Sequence, residues 1–222
     1  MKLNGRAFLF SLFSLLVLSG CAGLPEGPPV DDPAAAWQAR AARLAPLTNW
    51  EVLGRMALRT PEESWQATLL WVRRDDSHKI DLTGPLGRGH LRLTQDRDGA
   101  QLRDADQRTY RDSSAQQLLL RATGWQVPLE GLNYWILGLP APEADSGRDL
   151  DARGRLSALR QSGWDIRFME YARYDGYDLP SKLFIKRRAA PGERVIGADP
   201  ANDSVVELRL VIERWTFNRR DP

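Results

Sequence analysis

Residues 50–73 read WEVLGRMALRTPEESWQATLLWVR, and the spacing of apolar side chains within this stretch decides the fold class. Val52, Gly54, Met56 and Leu58 recur at every second position, opposite Glu51, Arg55 and Arg59. Trp65, Ala67, Leu69 and Trp71 repeat the pattern a few residues later. Successive side chains of a strand point to opposite faces, so a period of two predicts strands with one buried and one wet face. Two such runs in succession predict an antiparallel meander.

The pattern continues downstream. In residues 78–83 Ile80 and Leu82 alternate with polar neighbours, and in 89–95 Leu91 and Leu93 do the same. Short strands are expected at 101–103 and 108–110, split by a turn at Asp104, Ala105 and Asp106. Two helices then interrupt the sheet. Asp112, Ser113 and Ser114 offer caps for one reaching about Thr123, with Gly124 to end it. Pro128 suits the first turn of the second, where Leu129, Leu132 and Ile136 share a side before Gly138 and Pro140. Residues 141–151 and 191–202 read as loops, and strands are expected at 155–161, 164–172, 182–187 and 205–217. No internal repeat is visible. The class is mainly β (α+β).

Upstream, residues 36–47 suggest an amphipathic helix with Trp37, Ala41 and Leu44 on one stripe, Arg40 and Arg43 beside it, and Pro46 at its end. Residues 22–35 (AGLPEGPPVDDPAA) hold little to bury and read as a tether, reaching roughly 40 Å if partly extended. Residues 1–20 read as a secretion signal, in which Lys2 and Arg6 precede an apolar core from Ala7 to Leu18. That core is too short for a permanent span, which needs about 20 apolar residues. Leu18-Ser19-Gly20-Cys21 fits a bacterial lipobox, so cleavage is expected before Cys21 and lipid upon it. At about 0.8 kcal/mol per buried methylene, two or three acyl chains anchor a protein firmly. Ala22 follows where enteric-type bacteria place Asp to retain a lipoprotein at the inner membrane, which points to the outer membrane.

Cys21 is the sole cysteine of 222 residues, so no internal disulfide can form. The signal holds two of the 31 basic residues and none of the 29 acidic ones, which leaves a mature chain of zero formal charge. That balance gives no nucleic-acid footprint, which would need Lys and Arg gathered on one face. The 202 residues beyond the signal (222 less 20) suit a single domain, spanning 36–222 after the tether at 21–35.

Catalytic chemistry is sparse. His78 and His90 are the only histidines, set among strands without ligand spacing for a metal. Asp149, Asp151 and Gly154 have the opening of a calcium loop without its later oxygen ligands. Paired carboxylates from distant strands stay open, since spacing along the chain does not reveal them. Eight tryptophans suggest a large aromatic-lined interior. Either the helices cover the sheet as an ordinary dry core, or they leave a gap that admits acyl chains. Met56, Leu58, Trp65, Trp71 and Leu82 are the candidate lining, with Leu132 and Trp135 from the second helix.

Particular residues carry a resemblance. WEVLGR at 50–55, the strand ending in Trp71 and GPLG at 84–87 resemble the LolB family of outer-membrane lipoprotein receptors. So do GWQVPL at 124–129, Leu132, WILGLP at 135–140, QSGW at 161–164, Leu179-Pro180 and Trp215, in that order along residues 37–215. The resemblance implies an open, incomplete antiparallel β-barrel of about eleven strands, with short helices as a lid over a hydrophobic cavity. It implies a monomer that accepts lipoproteins from the periplasmic carrier LolA and inserts them into outer-membrane phospholipid. No cofactor is implied beyond the covalent lipid on Cys21. It also implies that Leu86, between Pro85 and Gly87 and after Gly84, is an exposed apolar residue that assists membrane delivery. Residues 150–161 and the tail after Trp215 match the family pattern poorly, which leaves the pairing of the last strands open. Two other functions compete: a lipid- or envelope-glycan-binding outer-membrane lipoprotein without transfer activity, and a lipid-anchored hydrolase.

Overall fold

The computed structural model describes residues 28–61, 63–87, 89–142, 146–188 and 204–217. The signal, Cys21, the first part of the tether up to residue 27 and the 191–202 loop lie outside them. Eleven strands form one sheet: β1 (Asn49–Arg59), β2 (Ser64–Arg74), β3 (Ser77–Thr83), β4 (His90–Asp96), β5 (Gly99–Arg103), β6 (Thr109–Asp112), β7 (Ser146–Leu150), β8 (Leu156–Gln161), β9 (Trp164–Tyr174), β10 (Tyr177–Arg188) and β11 (Ser204–Phe217). Their spatial order is β6-β5-β4-β3-β2-β1-β11-β10-β9-β8-β7. Neighbours pair antiparallel throughout, and β6 and β7 stand at opposite ends, so the sheet curls without closing.

The period of two decides which side faces inward. Along β1 the odd and even positions alternate, burying Trp50, Val52, Gly54, Met56 and Leu58. β2 buries Ala67, Leu69 and Trp71 by the same rule. Trp50 is fully buried and meets Trp71 and Trp215 edge-on, with ring centroids 5.3 Å away in both cases. Such edge contacts each add about 0.5–1.5 kcal/mol beyond burial.

The last strand, whose pairing the sequence left open, stands beside β1, the middle strand of the sheet. β11 pairs with β1 on one side and β10 on the other. The β1 register shifts between Leu53 and Gly54, where Arg214 and then Ile212 are the partners, so Glu213 is bulged out of register.

Among the described residues three α-helices lie against this sheet. α1 (Pro33–Leu44) begins earlier than expected, because Asp32 caps it by accepting from the N–H groups of Ala34 and Ala35 and Pro33 fits the first turn. The last residues assigned to the tether are therefore helical. Arg40 fastens α1 to β10 through Asp178, and Arg155 stacks over the Tyr171 ring beneath it at 4.5 Å. α2 (Ala115–Thr123) is capped by Ser114 and ends at Gly124 with φ +77°, as the sequence predicts. α3 (Leu129–Trp135) follows a nonhelical connector. α2 lies over β4, β5 and β6.

One expectation fails outright. Residues 146–150, assigned to a loop, form the edge strand β7 on β8. Its inner face is only half-buried and carries no apolar alternation, so no period of two could show it. The aspartates suspected of a calcium loop do other work. Burial alone would raise the pKa of Asp151, but hydrogen bonds from Arg155 and Arg153 outweigh it and hold the carboxyl below its usual range.

Candidate functional site

The inner faces of β11, β1, β2, β3 and β4 and the underside of the lid enclose a chamber with an entirely apolar lining. Met56, Leu69, Trp71, Ile80, Leu82, Leu91 and Leu93 come from the first four strands, and Leu208 and Leu210 from β11. Leu119 of α2, Trp125 and Val127 of the connector, and Leu129 and Leu132 of α3 close it from above. Its free volume is about 40 Å³.

Four of the seven residues proposed from sequence as lining meet here: Met56, Trp71, Leu82 and Leu132. Three do not. Leu58 is buried at the far end of β1, opposite Trp65 and Leu208. Trp65 is half-buried and packs against Trp125 with centroids 4.7 Å apart. Trp135 turns toward β8 and β9, where its indole N–H donates to Gln161 and its ring packs on Trp164 at 6.4 Å. Sequence reasoning missed Leu69, Ile80, Leu91 and Leu93 as liners, although their strand faces were legible. Trp125 and Val127 gave no signal, because the connector that holds them has no period.

A second, wetter cavity of about 340 Å³ opens beside the chamber. The two share Trp71, Ile80, Leu93 and Leu129 as walls. His78, Gln95, Gln116, Glu130, Asn133 and Tyr134 give this mouth its polarity. The Trp71 indole N–H donates to Nδ1 of His78 at 3.3 Å. Burial, helped by repulsion from Arg73 and opposed by Asp76, lowers the His78 pKa to about 4. Arg73 reaches from β2 to the lid and donates to Oδ1 of Asn133 at 3.0 Å. His90, by contrast, belongs to the outer face, where it joins Lys79 and Arg92 around the buried carboxylate of Asp81. Among the described residues no three His, Cys, Asp or Glu side chains gather as a metal site would require.

The β3–β4 connection leaves the cross-strand pair Leu82 and Leu91, both chamber liners, and turns through a 3-10 turn at Pro85–Gly87. Gly84 donates to the carbonyl of Gly89 at 2.9 Å, and Gly87 donates to that of Gly84 at 3.2 Å. Leu86 sits at the tip with φ +58°, and 94% of it is exposed. A leucine held outward in a left-handed conformation is unfavourable in water twice over, by backbone strain and by exposed apolar surface.

A curled, unclosed antiparallel sheet, a helical lid and an apolar chamber between them define a protein that shelters apolar groups. Comparison with known proteins narrows the class. The family model described as Outer membrane lipoprotein LolB matches residues 48–215. Curated relatives named Outer-membrane lipoprotein LolB include one from Stutzerimonas stutzeri, 36% identical over 90% of this chain and 90% of its own. One from Nitrosococcus oceani is 36% identical over 92% of this chain and 94% of its own. Another, from Pseudomonas syringae, is 39% identical over 95% of each. A solved DUF1329 family protein from Desulfovibrio piger superposes at TM-score 0.45 and 9% identity, covering 84% of this chain and 94% of that one. The chain belongs to the outer membrane lipoprotein LolB family.

Proposed function

We propose that the mature protein, anchored by lipid on Cys21 at the periplasmic face of the outer membrane, receives lipidated proteins from the carrier LolA and inserts them into that membrane. It acts as a monomer, in one domain, without nucleotide, metal or catalytic group. The observation that carries this reading is the wholly apolar chamber under a helical lid. Family membership and the exposed tip leucine support it.

Burying a methylene contributes about 0.8 kcal/mol wherever the apolar surroundings lie. Carrier, receptor and bilayer thus offer an acyl chain similar energies, and small differences set the direction of transfer. A guest displaces the lid, because the chamber's 40 Å³ holds almost nothing as it stands.

A two-stage transfer assay tests the proposal: labelled lipoprotein passes from loaded LolA to this protein, and then to liposomes. Leu82→Glu places a carboxylate without a partner in the chamber, which is costly against acyl chains. Acceptance should fail while circular dichroism shows a folded protein. Normal acceptance by a folded Leu82→Glu variant, or no acceptance by the unaltered protein, overturns the reading.

A further inference from the structure

The mouth beside the chamber has a hydrogen-bonding sense. Arg73, the Trp71 indole and the backbone N–H of Ala115 can only donate. Each takes the acceptor end of a mouth side chain: Oδ1 of Asn133 at 3.0 Å, Nδ1 of His78 at 3.3 Å and Oε1 of Gln95 at 3.3 Å. The orientation of both amides and the tautomer of the imidazole follow from those partners. What remains for the cavity is Nδ2 of Asn133, Nε2–H of His78 and Nε2 of Gln95, all donors. Among the described residues none of these three atoms has a protein hydrogen-bond partner. Asn133 is 9% exposed, so its amide donors sit in a largely enclosed place. Glu130 and Gln116 complete the polar rim, Glu130 from an exposed position on the lid.

We propose that this mouth binds the carbonyl oxygens by which acyl chains are joined to their head group, the donors of His78, Gln95 and Asn133 meeting ester or amide acceptors while the chains enter the chamber. The inference rests on the function proposed above and adds a subsite to it. An acyl chain ends at its polar side in a group that accepts hydrogen bonds and donates none if it is an ester. Three free donors beside an apolar chamber match that sequence of chemistry, since Trp71, Ile80, Leu93 and Leu129 face both spaces and the exposed Glu130 marks the outer side of the mouth. Ester carbonyls occur both on a client's lipidated N-terminal cysteine and on membrane phospholipid.

The test compares ester-linked lipids with ether-linked analogues of equal chain length, which keep the chains and lose the carbonyls. One pair is a diacylglyceryl-cysteine lipopeptide and its dialkyl counterpart; the other is a short-chain diacyl phospholipid and its dialkyl counterpart. Binding to the lipid-anchored protein, held in nanodiscs of ether lipid, is followed by tryptophan fluorescence. A net hydrogen bond within a protein is worth a factor of a few, so two or three donors predict about a tenfold preference for an ester form. Asn133→Asp and Gln95→Glu keep the oxygen facing Arg73 or Ala115 but replace the free donor with an acceptor. Each should bring the ratio of ester to ether binding, measured on the same variant, close to one. Gln95→Glu alone suffices where Asn133→Asp disturbs the lid. A preference confined to one pair supports the proposal and identifies the source of the carbonyl. Equal binding of ester and ether forms, or a preference that survives both substitutions, overturns it. Failure to bind either form overturns the proposed function as well, which separates the two outcomes.

Discussion

The indole N–H of Trp135 donates to Oε1 of Gln161 across 2.9 Å, and the same oxygen accepts the backbone N–H of Ala141 at 2.8 Å. Nε2 of Gln161 returns a bond to the carbonyl of Ala141 at 2.9 Å. One side chain, 2% exposed, thus holds the end of α3 and the chain leaving it against β8. Gly131 makes room for this, because a Cβ there would stand 2.5 Å from the Trp135 ring.

Gln161→Leu fills similar space but leaves the buried Trp135 indole and the half-buried Ala141 backbone groups without partners. Orphaned buried groups cost about 1–3 kcal/mol each, so a loss of roughly 3 kcal/mol is expected in urea unfolding. A midpoint equal to that of the unaltered protein would show that the lid is held by other contacts.

Gly54 has a different constraint. The bulge at Glu213 draws β11 so close that a Cβ on Gly54 would stand 2.3 Å from the carbonyl oxygen of Val211, a backbone atom. Gly54→Ala should therefore destabilise by at least about 2 kcal/mol through displacement of the central strand pair. Gly124→Ala meets nothing within 4 Å and bears only the strain of φ +77°, so it should cost about 1 kcal/mol. Thermal unfolding of the two variants distinguishes them, and equal losses would contradict the close approach.

His78 sets a dependence on pH. The folded protein keeps the imidazole neutral down to about pH 4, whereas the unfolded chain takes up the proton near 6.5. Between those values the unfolded state holds more protons, so acidification favours it. The stability that rests on neutral His78 is complete above pH 6.5 and drains away as the pH falls toward 4. His78→Gln should flatten the melting temperature across that window, and an unchanged slope would remove His78 as its source.

Leu86 should separate stability from delivery. Left-handed backbone costs a non-glycine residue about 1–2 kcal/mol, so Leu86→Gly is expected to raise the melting temperature. A leucine entering a bilayer contributes only about 1.5–3 kcal/mol, enough to orient a mouth but not to anchor a protein. Leu86→Gly and Leu86→Glu should accept lipoprotein from the carrier at the normal rate and pass it poorly to liposomes. Normal delivery by either variant would leave the strained, exposed tip without this role.

Residues whose partners lie on neighbouring positions of one face were legible from sequence. Met56, Leu82 and their like follow the period of two, and Ser114 and Gly124 mark the ends of α2 by local chemistry. Trp135 was misplaced because helical spacing aligns it with Leu132, whereas its orientation is decided by Gln161, 26 residues away. β7 escaped because Arg148 and Asp149 at an edge need no burial to pair. The donors at the mouth were invisible for a further reason: Gln95 and Asn133 are polar residues within apolar patterns, and only their bonds to Ala115 and Arg73 reveal which end they present.

The tightness of the apolar chamber has a kinetic meaning. About 40 Å³ is far below the roughly 300–1,000 Å³ of an ordinary ligand pocket. At rest the strands and lid therefore satisfy each other, and the empty protein is its own best guest. Every acyl chain competes with that collapsed state, and its apparent affinity falls by the fraction of molecules that are open. A bilayer imposes no such competition. Under the proposed function, self-closure makes the protein a halting place with a built-in bias toward departure: once a lipid surface is within reach, a chamber that prefers to be shut favours release of the cargo.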